Sequence, residues 1–388
     1  MRVLIMCLND PSGNPRPRRM IDLCNSKGYS VYLASYEPLK EPITYQKLFL
    51  LKKKGLGLWN NISRHLFLAF NVIARFFIRN DAFLNKLSNR RYYLHKLENE
   101  LNDYKFDLII LEDIQFLPVV LKIKKDTPVV FDVREYYPRQ RENSLIFRLF
   151  EKPERVRLCK KYLKECDVLF TVSHGLALGY KKEFNVDMDV IKSVPNFWDI
   201  PVALKDDGLI RLVHHGIANS NRKLENMIAV LKQLDKRFTL DFYLIGDSAY
   251  IDELRAISND DSRITFNQPV SFSALVPTLA QFDVGFFYVE PSTFNLRHCL
   301  PNKFFEYIQA RLVLAVGPSP DMALLVREHD CGVVSEEFTI DSMVSCLQEL
   351  TYERIAKLKM NSDKASRELC FEVESEKIIN LFTQVTAK

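Results

Sequence analysis

The sequence predicts an α/β protein built from two doubly wound parallel-sheet domains in tandem. Three observations carry this. Short apolar segments alternate with amphipathic ones in two separate series, one running from Arg2 to Ile191 and the other from Ile210 to Val316. Turn residues such as Gly28, Gly216, Gly246 and the Gly317-Pro318 pair punctuate the joints. A length of 388 residues, 47% of them apolar, suits two domains with a core each.

In order along the chain, Arg2 to Leu8 reads as a strand and Asn9 to Arg19 as a loop broken by Pro11, Gly13, Pro15 and Pro17. A helix from about Arg18 to Lys27 and a strand from Ser30 to Ser35 follow. In a sheet that opens this way, ligands sit beyond the carboxyl ends of the strands, so the Gly13 loop lies on the ligand side. It has no GxGxxG spacing and is assigned no dinucleotide; an ordinary connecting loop is the plainer reading. Further on come strand Leu108 to Leu111, helix Phe116 to Lys124, strand Pro128 to Val133, helix Arg148 to Cys166 and strand Val168 to Val172. Arg134, Glu135 and His174 then share one rim and are candidate catalytic groups. The plainer roles are a helix cap for Glu135 and a loop hydrogen-bonder for His174.

The second series begins with a strand from Ile210 to His214 and a turn at Gly216, then helix Arg222 to Leu234, strand Leu240 to Ile245 and a turn at Gly246. Helix Ile251 to Ile257, strand Arg263 to Phe266, helix Phe272 to Gln281 and strand Val284 to Tyr288 continue it. Pro301 then opens a helix that leads into the buried strand Leu312 to Val316. On that helix Lys303 and Glu306 stand three apart and share a face. The open N–H groups of the first turn attract an anion, Lys303 adds a positive charge, and Glu306 can accept hydrogen bonds from a pair of hydroxyls. A phosphate beside a ribose satisfies all three, whereas the plainer reading is an exposed ion pair of little energetic weight. The domains are expected at 1–197 and 198–365, followed by a helical segment at 366–388.

The totals exclude several classes. No stretch is long and apolar enough to span a bilayer and no leader is evident, so cytoplasmic residence is expected. Eight cysteines are scattered without metal-type spacing, and no metal or other cofactor is expected. A net charge of +5 is mild, but Lys47 to Lys96 holds eleven Lys or Arg residues against one acid, Asp81. Trp59, Phe67, Phe70, Phe76, Phe77 and Phe83 are interleaved with them. This composition suits an anionic membrane surface; an insertion packing its aromatics on the core and a nucleic-acid patch are the competing readings, the last without any recognition motif.

Four places make the chain resemble nucleotide-sugar glycosyltransferases of the GT-B fold, in particular the retaining family 4 type. They are Val172 to Leu176 with Val194-Pro195-Asn196; His215-Gly216 with Arg222 to Glu225; Pro301 to Gly317; and Leu369 to Glu372 with its helix. The resemblance implies two Rossmann-like domains facing across a cleft, a last helix that crosses back to the first domain, and a donor site in the second. Carried over, Glu306 matches the second acid of the family's E-x7-E motif, which holds the ribose. His298 falls on the first acid, beside the donor sugar with Asn302. Gly216, Arg222, Lys303 and Gly246 are the expected donor-nucleotide positions, with Ile217 where the family has Arg. Arg134 stands where the family often has His.

The implied activity is transfer of a sugar from a nucleotide-sugar donor to a lipid-linked or glycan acceptor in surface polysaccharide biosynthesis, with retention and without metal. Asp187-Met188-Asp189 reads as a solvated turn. No nucleic acid is expected as a partner, and the basic segment 47–96 would hold the protein peripherally on a membrane. A sugar-nucleotide epimerase of related architecture and a non-catalytic nucleotide-sugar binding protein are the alternatives.

Overall fold

A computed structural model of the chain describes residues 1–35, 39–51, 80–91, 94 and 96–387. Two compact units are present, one comprising Met1–Ile191, Thr293–Asn295 and Lys377–Lys388, the other Lys192–Ser292 and Leu296–Glu376.

In the first unit the described residues form seven parallel strands: β1 (Arg2–Met6), β2 (Ser30–Ser35), β3 (Lys47–Leu50), β4 (Leu108–Leu111), β5 (Val129–Val133), β6 (Val168–Thr171) and β7 (Asp189–Val190). Their spatial order is β3-β2-β1-β4-β5-β6-β7. Val3, Leu4, Ile5 and Met6 are wholly buried, as a central parallel strand covered on both faces requires. The winding reverses between β1 and β4, the place where such a sheet leaves room for a ligand.

The second unit repeats the plan with β8 (Ile210–Ala218), β9 (Phe238–Gly246), β10 (Ile264–Asn267), β11 (Val284–Phe287), β12 (Val313–Val316) and β13 (Gly332–Val334). Its order is β10-β9-β8-β11-β12-β13, so the reversal falls between β8 and β11. The core there includes Leu212, Phe242, Phe286, Phe304 and Leu314. Gly285 lets helix Asn302–Gln309 settle on the sheet, because a Cβ at that position would lie 2.3 Å from Tyr307 Cγ.

Three elements differ from expectation. Helix Pro15–Ser26 begins inside the segment expected as a loop, with Pro15 in its first turn. Lys47–Leu50 is a strand at the sheet edge: Phe49 is buried, while Lys47 Nζ lies 4.6 Å from the Tyr104 ring centre. The single helix expected over Arg148 to Cys166 is a π turn, Phe147–Glu151, then an α-helix, Lys152–Tyr162, then a 3-10 turn, Leu163–Glu165. Pro153 stands in the first turn of that α-helix, where its lack of an N–H interrupts the upstream ladder. Of the basic segment, Lys52, Lys53, Lys54, Trp59, Phe67, Phe70, Phe76 and Phe77 lie outside the described residues. No described helix is long and apolar enough to cross a membrane.

Candidate functional site

A buried polar assembly of the second unit sits at the carboxyl ends of β8 and β11, where the winding reverses. β8 carries His214, His215 and then Gly216, whose φ of +114° an L side chain rarely adopts. Lys303, in the first turn of helix Asn302–Gln309, points back at this strand end. Its Nζ donates to the His215 carbonyl and to His214 Nε2 at 3.3 Å, and it lies 5.3 Å from the Phe287 ring centre. His214 Nδ1 is 2.8 Å from the Phe286 carbonyl. A carbonyl only accepts, so Nδ1 carries the hydrogen and Nε2 presents its lone pair to the ammonium. Any Cβ on residue 216 would lie 2.9 Å from Lys303 Nζ; the glycine is what makes room for the amine.

Burial dominates the electrostatics. Burial, with the Arg222 charge beside it and against the partial pull of Glu306, lowers Lys303 from the usual lysine range to about 7. Burial and Lys303 together push His214 well below its ordinary value and His215 to about 3, so both imidazoles are neutral. Glu306 Oε2 approaches His215 Nε2 to 3.2 Å, but with a neutral ring this is no ion pair.

The sequence placed Glu306 in the open; it is 6% exposed and Lys303 is 7% exposed. Helix Asn302–Gln309 is buried from Lys303 to Gln309: Phe304, Phe305, Tyr307 and Ile308 form its apolar face, and the polar residues on its other side are covered as well. Nor do Lys303 and Glu306 form a surface pair, since both hydrogen bonds of Lys303 go to β8.

Arg222 ends the 3-10 turn Ser220–Arg222, which Asn219 starts by accepting from Asn221 N at 2.9 Å. Its Nη1 contacts the Ile217 carbonyl at 3.4 Å, which keeps the guanidinium at the same strand end. Gly246, φ +110°, lets the end of β9 run close beside Ala218: a Cβ would be 3.2 Å from the Ala218 carbonyl. His298 Nδ1 lies 2.7 Å from Asp321 Oδ2, in the first turn of helix Pro320–Glu328. Asn302 Oδ1 accepts from Ser193 Oγ at 3.1 Å. Gly216, Arg222, Lys303 and Glu306 are thus brought together, while Asn302 is engaged with the segment that precedes β8.

In the first unit, Arg134 reaches back to the end of β4. Its Nη2 donates to the Glu112 carbonyl at 2.8 Å, and its Nε lies 3.5 Å from Glu112 Oε2. Arg16 forks onto Asp132, with Nη2 to Oδ1 at 2.8 Å. Glu135 is exposed, and the Tyr180 hydroxyl donates to its carbonyl at 2.8 Å. His174 is the exposed first residue of helix His174–Phe184, which Ser173 caps by accepting from Leu176 N. Gly13 is exposed beside a turn in which Ser12 Oγ donates to Asp10 and accepts from Lys40 N and Glu41 N. Asp187 is paired with Lys181 at 2.6 Å.

Sequence reasoning missed Glu112, Asp113, Asp132 and Arg16 here, and His214 and Asp321 in the second unit. Glu112 is wholly buried, neither of its carboxyl oxygens has a hydrogen bond among the described residues, and burial with the nearby Asp132 raises its pKa to about 8. The available signal was Glu112-Asp113 directly after an apolar strand, on the ligand side of the first reversal point.

No protein-family model matches the chain, and no curated protein sequence does. Solved structures do. The sucrose-phosphate synthase of Thermosynechococcus elongatus is similar over 100% of this chain and 99% of its own, with a TM-score of 0.74 at 13% identity. WaaG, a glycosyltransferase involved in lipopolysaccharide biosynthesis, is similar over 98% of this chain and 99% of its own, with a TM-score of 0.66 at 12% identity. Anabaena Alr3699/HepE, solved in complex with UDP and glucose, is similar over 99% of this chain and 100% of its own, with a TM-score of 0.65 at 11% identity. At such identities the likeness establishes the fold, which is the GT-B type.

Proposed function

We propose that this chain is a glycosyltransferase that takes a sugar from a nucleotide-sugar donor held in its second unit and passes it to a lipid-linked or polysaccharide acceptor. The observation that carries this reading is the Lys303 ammonium, buried over Gly216 at the reversal point of the sheet and at a helix N-terminus. Two further features support it. Arg222 supplies a second cation at the same strand end, and Glu306 lies one helical turn beyond Lys303, where a carboxylate can accept from ribose hydroxyls. HepE, of the same fold, was solved with UDP bound.

Transfer requires the bond from the anomeric carbon to the diphosphate oxygen to break, with its electron pair staying on that oxygen. Lys303, Arg222 and the helix N–H groups would stabilise the charge that develops there without a metal. The acceptor oxygen bonds to the anomeric carbon, and its proton passes to the departing phosphate oxygen, so configuration is retained and no protein base is needed. Arg134, Glu135 and His174 of the first unit would orient the acceptor; His298, fixed by Asp321, would contact the donor sugar. Segment 47–96 would hold the protein peripherally on an anionic membrane surface.

The test is release of nucleoside diphosphate from UDP- and GDP-sugars, with and without lipid-linked or oligosaccharide acceptors, in EDTA. Acceptor-dependent release that survives the chelator is the expected result. Activity abolished by EDTA and restored by Mg²⁺ would overturn the metal-free part, and interconversion of sugar nucleotides without acceptor would identify an epimerase instead.

A further inference from the structure

Among the described residues, no anion is in contact with Lys303. The groups that face it come from four directions. β8 gives the His215 carbonyl and His214 Nε2, both uncharged acceptors, and β11 gives the Phe287 ring. The segment before the helix gives Cys299, a thiol whose burial pushes it up to about 12, and which therefore stays neutral. Its own helix gives Glu306, whose attraction the Arg222 guanidinium opposes. A charge enclosed in this way is costly until a counter-charge arrives.

We propose that His214 is the positioning residue of this site, holding Lys303 so that a polyphosphate arriving at Gly216 binds together with one proton, which stays on Lys303 Nζ. His214 has no alternative orientation to offer. The Phe286 carbonyl holds its Nδ1–H, its ring stacks 6.2 Å from that of Phe287, and it is wholly buried, so its Nε2 lone pair faces the amine permanently. With no ligand, Lys303 is partly deprotonated near neutrality, in line with its lowered pKa. A bound diphosphate favours the ammonium and raises that pKa. Uptake is therefore greatest above the free value, at about pH 8, and fades below about pH 6, where the amine is already charged. The inference rests on the reading of the Gly216 site as a donor-phosphate site.

UDP-glucose and GDP-mannose are suitable probes, because their diphosphates are diesters with no proton of their own to titrate between about pH 6 and pH 8. Calorimetry at each pH, in buffers of different ionisation enthalpy, counts the protons. The expected result is uptake of about half a proton or more at about pH 8, falling towards zero at about pH 6. Lys303→Arg, charged at every pH, should bind without uptake. His214→Leu should lose about tenfold in affinity at pH 8 and much less at pH 6, whereas a merely structural loss would be the same at both. His214→Gln, which keeps an acceptor at the Nε2 position, should recover most of it. Binding of the wild type without proton uptake, or uptake that persists in Lys303→Arg, overturns the inference and leaves the donor site standing. Failure of both probes to bind at any pH overturns both.

Discussion

Gly216→Ala is the most revealing single change, because one methyl group is all that the site excludes. The backbone at φ +114° strains any L residue, at a cost of about 1–3 kcal/mol, which should lower the melting temperature of the second unit by roughly 2–12 °C. The new Cβ would also lie 2.9 Å from Lys303 Nζ and 3.2 Å from its Cε. Nζ is the far end of a flexible chain, so the amine moves and the backbone stays. Displacing it breaks charge-assisted hydrogen bonds worth about 1.5–3 kcal/mol, which predicts a loss of about 10- to 100-fold in nucleoside diphosphate affinity by calorimetry. Lys303→Ala should reproduce that loss without the backbone strain. Since the two changes remove one interaction, the double variant should bind no more weakly than either single one. Full affinity in Gly216→Ala, or losses that add, would refute the placement of Lys303 at the phosphate.

Other outcomes follow from the same geometry. Glu306→Gln, chosen because the side chain is buried and Ala would leave a cavity, should weaken nucleoside diphosphate binding by about tenfold or more while leaving pyrophosphate binding nearly intact; Arg222→Ala should weaken both. Equal effects on the two ligands in Glu306→Gln would remove Glu306 from the ribose. Glu112 is raised to about 8 from an ordinary carboxyl value of 4.5, so its contribution to stability is complete below about pH 4.5 and is lost as pH rises through about 8. Melting of Glu112→Gln and of the wild type should therefore diverge in favour of the variant as pH rises across that window, and a constant difference would contradict the buried neutral acid. Finally, flotation with anionic liposomes should weaken with salt and fall when Lys52, Lys53 and Lys54 are changed to Glu together, since each basic residue near such a surface contributes about 1 kcal/mol. Unchanged flotation of that triple variant would hand the segment to core packing.

Much of the fold was legible because parallel strands covered on both faces leave continuous apolar runs. Val3 to Met6, Leu108 to Leu111 and Val313 to Val316 are all such runs, and all are strands. Lys47–Leu50 escaped because an edge strand buries only part of itself: Phe49 goes inside while Lys47 and Leu50 stay exposed, and the basic composition around it masked the pattern. At the site, the spacing of Lys303 and Glu306 put both on one side of a helix, but direction and burial depend on the partners. Gly216 leaves the room in which Lys303 turns onto β8, and the His215 carbonyl and His214 hold it there. The pairing of His298 with Asp321, and of Arg134 with Glu112, joins residues 23 and 22 positions apart through the sheet order, which no local pattern contains.

The donor site is tested most directly by thermal shift of the wild type and of Lys303→Met against UDP, GDP, dTDP and CMP. A nucleoside diphosphate present at 100 times its dissociation constant adds about 2.7 kcal/mol of stability to the state that binds it. At least one of UDP, GDP and dTDP should raise the wild-type melting temperature by several degrees, CMP should raise it far less, and Lys303→Met should lose most of the shift. No shift with any of the three diphosphates, or the same shift in Lys303→Met as in the wild type, would contradict a donor site built on Lys303.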